Sequence, residues 1–352
     1  MVRSRSAVQI RATAHMSQNS NTVLVTGAAG YIGSHAVKLL LSKGYRVIGL
    51  DNFYNGYHEA IEILSGFGDF DFREGDLRDM AFLEKLFSAE KIDAVMHFAA
   101  LNLPDESVDK PIEYYDDNTL GTAKILEAMR KHSVKHMIYS STSSVYGEVD
   151  DSPVKEDHTL NPVSPYGHSK VLSEGIINYY SRVHGMNSVI FRYFNVCGAD
   201  DEGVIGDSKK PSQLLVQNCV RGALGLEPFQ YTCSQVNTPD GTPIRDFIDV
   251  RDLADAHLAA MEYLLKGGTT QTMNLGTGSG YSVKEIVSKV EQILNVKIER
   301  GQGKARAGEY SASFADASKA KEVLGWTAKR SLGDSVTALV NWYKKHPKGY
   351  IR

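Results

Sequence analysis

Beyond residue 20 the chain alternates two hydrophobic patterns. Short β-branched and apolar runs at 22–26, 45–50, 70–73, 93–98, 136–140 and 188–191 suit buried strands. Between them, stretches at 31–43, 80–89, 118–131 and from about 165 to 183 read as helices with a covered apolar face. Strand and helix in turn through the first 190 residues predict an α/β fold, a right-handed, doubly wound parallel sheet whose ligands collect at the carboxyl ends of the strands. After residue 191 the alternation weakens. A charged, glycine-containing loop over 198–211 precedes an amphipathic helix over 212–224, stopped by Gly225, and an irregular or short-strand stretch over 229–241. A short strand is expected at 273–275 and helices at 250–265, 282–294 and 331–345. The first of these closes at Gly267 and Gly268; the second opens on a Ser282/Glu285 capping box and carries apolar Val283, Ile286, Val287, Val290 and Ile293.

The junction of the first strand and first helix carries candidate chemistry. Gly27, Gly30 and Gly33 follow the strand at three-residue spacing. Gly27 permits a tight turn, Gly30 admits a pyrophosphate to the backbone, and Gly33 brings helix and strand close, while the helix N-terminus offers free N–H groups. The second strand ends in Asp51, placed to accept hydrogen bonds from an adenosine ribose and to repel a 2′-phosphate, which favours NAD over NADP. Tyr31, Ile32 and Asn52 flank these positions. Asp76, after the third strand and beside Leu77, is either a partner for the adenine amino group or a cap for the helix at 80–89. Phe98, Ala99 and Ala100, after the fourth strand, form a second loop over the dinucleotide, with small residues that allow close approach. The expected organisation is a Rossmann-type half over 21–192 and a smaller, mainly substrate-binding α/β half over 193–352, some of whose segments return to the first. No repeat or low-complexity linker separates them, so a cleft between the halves is expected.

Composition narrows the partners. The 352 residues are 42% hydrophobic, enough for a full core, and a formal net charge of −3 without a basic stripe argues against nucleic acid. No apolar run reaches the roughly 18 residues of a membrane span. Cys197, Cys219 and Cys233 are odd in number and lack C-x-x-C spacing, so neither a disulfide framework nor a metal site is expected, and a reducing compartment fits. Residues 1–20 are basic, lack acids and have no apolar core, reading as an expression leader or a transit segment outside the fold; the cytosol is the default address.

Of 18 tyrosines only Tyr166 has a lysine four residues on, Lys170. On a helix beginning near Pro165 the two share a face, so the ammonium can approach the phenol and favour phenolate, making a proton shuttle. One such pair is also expected by chance. Thr142, after the fifth strand, can bridge Tyr166 and a substrate alcohol, or simply form a turn.

From residue 22 to the C-terminus the sequence resembles the extended short-chain dehydrogenase/reductases, and within them the UDP-galactose 4-epimerase group. The resemblance is carried by Val25 to His35 (VTGAAGYIGSH), Leu50-Asp51-Asn52, Gly75-Asp76, His97-Phe98-Ala99-Ala100, Glu106-Ser107-Val108, Ser164-Pro165-Tyr166 with Lys170, Arg192-Tyr193-Phe194-Asn195, Asp240-Gly241-Thr242 and Ala315 to Lys319. It implies NAD as resident cofactor and a UDP-hexose as substrate. Tyr166 takes the proton from the sugar 4-OH as hydride leaves C4, and the 4-keto sugar turns to receive hydride on its other face. It further implies Asn118 near the nicotinamide, Asn195 on the substrate diphosphate, Arg245 and Arg306 as pyrophosphate clamps, and Ser313 beside the sugar C2 substituent. A small residue at 313 leaves room for an N-acetyl group, so UDP-GlcNAc and UDP-GalNAc are expected to react as well. Helices 118–131 and 166–183 resemble the pair that forms a homodimer's four-helix interface, unless their apolar faces only cover the sheet.

Departures concern the substrate. Asn102 stands where the family often has lysine, Thr142 where it often has serine, and Thr232 where an aromatic often stacks the uracil, with Phe229 and Tyr231 nearby. The stretch 203–215 also differs. A 4,6-dehydratase would need Asp-Glu after position 142, where this chain has Ser143-Ser144. An epimerase or decarboxylase acting on a UDP-uronate or UDP-pentose, and a non-catalytic NAD-binding protein, are the remaining alternatives.

Overall fold

The computed structural model describes residues 21–149, 151–209, 212–305 and 310–350. In chain order its first part runs β1 (Thr22–Thr26), α1 (Tyr31–Ser42), β2 (Arg46–Asp51), α2 (His58–Leu64), β3 (Phe70–Glu74), α3 (Met80–Ala89), β4 (Ala94–His97), α4 (Pro104–Asp109), α5 (Pro111–Tyr114), a π-helical turn (Tyr115–Leu120), α6 (Gly121–Lys131), β5 (His136–Ser140), α7 (Pro165–His184) and β6 (Asn187–Tyr193). The remainder runs β7 (Asn195–Cys197), α8 (Leu215–Ala223), β8 (Phe229–Tyr231), β9 (Ile244–Arg245), β10 (Phe247–Asp249), α9 (Val250–Leu265), β11 (Gln271–Leu275), β12 (Tyr281–Ser282), α10 (Val283–Leu294), β13 (Arg300–Gln302), β14 (Ala312–Ser313), α11 (Ser318–Leu324) and α12 (Leu332–Lys345).

Seven strands form one parallel sheet in the order β11-β6-β5-β4-β1-β2-β3. All five residues of β1 are buried, as expected of a strand covered on both faces. Its side chains alternate between two cores. Val23 and Val25 join α1 and α9 on one face, whereas Leu24 joins Leu83 of α3, Ile125 and Met129 of α6 and Ile177 of α7 on the other. A third core gathers α8, α10 and α12 around Phe229 and Trp342, beside the short sheet β12-β9-β14.

The strand expected at 273–275 is longer and serves as the seventh strand of the main sheet. The helix expected over 212–224 starts at Leu215, because the Ser212 hydroxyl bonds Asp207 and accepts from Leu214 N–H, holding the chain out of helix there. On α10, Ile286, Val287 and Val290 are buried but Ile293 is exposed at the fraying end of the stripe. Asp79, not Asp76, caps α3, accepting from Phe82 N–H at 3.0 Å. Among the described residues no cluster of His, Cys, Asp and Glu is built to hold a metal, the three cysteines are free, and no helix is long and apolar enough to cross a membrane.

Candidate active site

A cleft that opens to solvent crosses the carboxyl ends of β1, β2, β4 and β6. Its floor is the turn after β1. Gly27 sits at φ +72°, and a Cβ there would lie 2.7 Å from the Ala99 nitrogen; one on Gly33 would lie 2.0 Å from the Gly27 carbonyl oxygen. The glycines therefore bring the two loops and the start of α1 closer than any side chain allows. Gly30, Tyr31, Ile32 and Gly33 line the cleft beside them.

Asp51 lines the adjoining wall, buried, with one carboxylate oxygen accepting from Ala29 N–H at 3.0 Å and the other from Phe53 N–H at 2.8 Å. Burial raises its pKa above the ordinary range, against the pull of these backbone donors. A buried carboxylate with lone pairs left over at the mouth of a glycine cradle fits the ribose diol of NAD. Asp76 and Leu77 line the next stretch with Asn52. Arg78 grips Asp76 at 2.6 and 2.9 Å and holds its pKa down to about 2, so this carboxylate is a permanent acceptor there.

Phe98, Ala99 and Ala100 line the cleft opposite, on a loop supported by a buried polar relay. Thr122 donates to the Asn118 carbonyl at 2.6 Å, so its oxygen accepts from His97 Nε2 at 3.1 Å. His97 Nδ1 then accepts from the Thr26 hydroxyl at 2.7 Å, and Thr26 accepts from Ala99 N–H at 3.3 Å. Burial, with the Lys170 charge adding to it, pushes His97 down to about 3. Asn118 is not on the cleft wall. It is buried in the π-helical turn, where its amide joins Leu101 N–H, Leu101 C=O and the Ser169 hydroxyl at 2.8, 3.0 and 2.9 Å. These bonds support the Leu101 loop that borders the cleft.

Tyr166 and Lys170 line the far end of the cleft on the first turns of α7. Ser164 caps that helix and Pro165 opens it, which aims Tyr166 at the strand ends. The Thr142 hydroxyl accepts from Ser144 N–H at 3.1 Å and donates to the Ser144 hydroxyl at 3.2 Å, and it stands close enough to the Tyr166 phenol to lower its pKa. Lys170, however, donates to the Ser140 carbonyl at 2.8 Å and lies 4.8 Å from the centre of the Tyr139 ring. Burial pushes it down to about 7, with Glu174 opposing, and burial raises the Tyr166 phenol while Thr142 lowers it. In the protein alone, burial is the larger effect on the phenol, and the Lys170 ammonium is turned to the Ser140 carbonyl. Behind this end, Arg192 clamps Glu174 at 2.6 Å and Glu174 accepts from Ser141, holding the hydroxyl-bearing run rigid.

Thr142, Asn195, Arg245 and Ser313 are not walls of the glycine-loop cleft. Asn195 begins β7, its N–H donating to Asp246 C=O at 3.0 Å. Arg245 and the buried Ser313 are register partners on β9 and β14. The Arg245 guanidinium lies 4.4 Å from the Tyr310 ring centre and donates to Tyr310 C=O at 3.0 Å. Arg306 lies outside the described residues. Sequence reasoning missed Tyr54 to Tyr57, Arg78, Asp117, Tyr193, the loop 206–209 and Tyr350, all of which line the cleft. The first group lies in a stretch rich in Gly, Asn and Tyr, and the loop falls within the charged, glycine-containing segment 198–211; nothing local marks Tyr350.

Residues 24–339 match the family described as GDP-mannose 4,6 dehydratase. A UDP-glucose 4-epimerase of Lactobacillus helveticus is 40% identical over 330 residues, 93% of this chain and 98% of that protein. UDP-arabinose 4-epimerase 1 of Arabidopsis thaliana is 40% identical over 338 residues, 93% of this chain and 80% of that protein. The crystal structure of the UDP-glucose 4-epimerase from Bifidobacterium longum in complex with NAD+ and UDP matches with a TM-score of 0.88 and 39% identity, over 94% of this chain and 100% of that one.

Proposed function

The chain belongs to the UDP-glucose 4-epimerase group of the extended short-chain dehydrogenase/reductases, and from that premise we propose that it interconverts UDP-galactose and UDP-glucose through a 4-keto sugar. The observation that carries this is one cleft lined both by a glycine cradle with a buried carboxylate and by Tyr166 and Lys170. NAD bound there supplies the acceptor for the hydride of C4 and returns it. Gly27 to Gly33 hold its pyrophosphate, Asp51 its ribose, and Asp76 with Asn52 its adenine.

Tyr166 accepts the proton of the sugar 4-OH, with Thr142 holding the phenol and the alcohol in line. Lys170, anchored on Ser140, adds positive charge as the proton leaves, and its lowered pKa lets it exchange protons near neutrality. Because the 4-keto sugar has to present both faces, the substrate is held by its diphosphate and the ring left free to turn. Arg245 and Arg306 take the diphosphate as clamps with Asn195 beside them, two guanidiniums being what a dianion wants. Ser143-Ser144, in place of an acid and base, disfavour elimination of water. The test is conversion of UDP-galactose to UDP-glucose with Tyr166→Phe as control; no conversion by the native protein overturns the reading. A UDP-pentose is the second reading, favoured by the 40% identity to a UDP-arabinose 4-epimerase, and the same assay on that sugar decides it.

The proposed assembly is a homodimer. Leu172, Tyr179 and Val183 are exposed along one face of α7, seven and four residues apart, while its other face covers the sheet. A concentration-independent monomer mass by light scattering overturns this. The proposed address is the cytosol, supported by the free thiols.

A further inference from the structure

The floor of the cofactor cleft comes from the first hundred residues, but part of its outer wall does not. Gly206, Asp207, Ser208, Lys209 and Tyr350 complete it from the far side of the fold. We propose that this loop and the tail carrying Tyr350 form a clasp, fastened through Tyr57, that keeps the dinucleotide in place through the catalytic cycle; the proposal rests on the NAD-dependent reading above.

Tyr57 is tied to both sides. Its N–H donates to Ala29 C=O in the glycine turn at 3.2 Å, and its hydroxyl donates to Ser208 C=O at 3.0 Å, across 151 residues of sequence. The tail closes on the same point. Tyr350 N–H donates to the Ser208 hydroxyl oxygen at 2.6 Å, and the Tyr350 ring lies 5.4 Å from that of Tyr57 and 4.9 Å from that of Trp342. Trp342 in turn donates to Asp207 C=O at 3.2 Å. Gly349 stands at φ +66°, a left-handed conformation that favours glycine, where the tail packs against the Ser208 side chain. Tyr57, Asp207, Ser208, Trp342 and Tyr350 are all buried.

A reaction with no net redox change must return its hydride to the same sugar, so a cofactor lost in the reduced form leaves the cycle broken. The floor alone is an open groove at the strand ends. With the clasp in place, the ligand departs only after the Tyr57 to Ser208 bond opens and the Tyr350 contacts part, which slows release without adding a group to the chemistry.

The experiment measures cofactor release from purified holoenzyme. Native protein, Tyr57→Phe, Tyr350→Ala and Gly349→Val are loaded with NAD, freed of excess by gel filtration, and followed for first-order loss into an NAD-consuming coupled reaction. Tyr57→Phe keeps the ring and removes one buried hydrogen bond, so release is expected to accelerate roughly three- to tenfold. Tyr350→Ala and Gly349→Val are expected to exceed that and to leave gel filtration with less NAD per chain. Release within twofold of native for Tyr57→Phe overturns the clasp, and this conservative variant decides the matter even where the other two fail to fold. The native protein's turnover of UDP-galactose is read in parallel. Absence of turnover removes the substrate assignment while the release rates still decide the clasp, and unchanged release beside normal turnover removes the clasp alone.

Discussion

The floor of the cofactor cleft and the sugar end of the site are built on different scales. From Gly27 to Ala100 the floor residues lie at or just beyond the carboxyl ends of β1 to β4, and pairing of β1 with β2 and β4 and of β2 with β3 carries them to one edge. The proposed sugar end draws Tyr166 and Lys170 from α7, Thr142 from beyond the end of β5, Asn195 from β7, and Arg245 and Ser313 from a three-stranded sheet whose members are two residues long. A repeated local motif can place the first set. Only packing of distant segments places the second, and this is where family members have room to change substrate without disturbing the cofactor.

The sharpest way to separate the two is Tyr166→Phe. It removes a proton shuttle and keeps the ring that packs on Leu101 and Tyr114, so kcat on UDP-galactose is expected to fall roughly 10²- to 10⁴-fold while NAD per chain stays at the native value. Loss of cofactor in this variant would show that the two ends are not separable. Gly33→Ala attacks the floor instead. Its Cβ would meet the Gly27 carbonyl oxygen at 2.0 Å, backbone against backbone, so a loss of about 3 kcal/mol in unfolding free energy is expected, with cofactor missing from the purified protein. Denaturant unfolding with native-like stability would show that the floor yields more readily than its geometry implies.

Ser313→Tyr acts at the sugar end alone. The native protein is expected to interconvert UDP-GlcNAc and UDP-GalNAc, and the variant to lose that activity roughly 5- to 150-fold relative to UDP-galactose, the effect of the overlap a bulky side chain creates beside Arg245. Equal ratios for the two proteins would remove Ser313 from the pocket. The smallest effect concerns the polar relay beneath the floor. His97 is held neutral, with a folded pKa of about 3, well below that of an unfolded histidine. The unfolded chain therefore binds the extra proton as pH falls below 6.5, and the stability contributed by the neutral ring, fully present above that pH, declines toward pH 3. His35 and His257, each pushed to about 4 by burial, act with the same sign. His97→Gln is expected to take about 1.4 kcal/mol per pH unit out of the slope of unfolding free energy between pH 6 and 4. An unchanged slope would mean that His97 is protonated in the fold.

Gly27, Gly30, Gly33 and Asp51 were legible because their work is local: a turn, a helix start and a strand end are each decided within a few residues. Asp76 was legible as a strand-end carboxylate but its choice of partner was not, because Arg78 and Asp79 compete within the same turn. Asn118 was legible as a residue of this region, but not the partners its amide finds from the π-helical turn, Leu101 and Ser169. Lys170 was placed with Tyr166 by helical spacing, which fixes the face of α7 and not the acceptor the ammonium finds, here Ser140 C=O on β5.

Alone, then, the sequence determined the alternation of strands and helices through the first 190 residues, the glycine turn, the acid that ends β2 and the hydroxyl, tyrosine and lysine proposed for the reacting end, since strand and helix periodicity and turn chemistry are properties of neighbouring residues. Tertiary structure decided which hydrogen bonds those residues make, how far burial moves their pKa values, and that Ser208 and Tyr350 close against Tyr57. Desolvation and the competition among donors and acceptors depend on groups brought from more than a hundred residues away, and no pattern within a window of the chain records them.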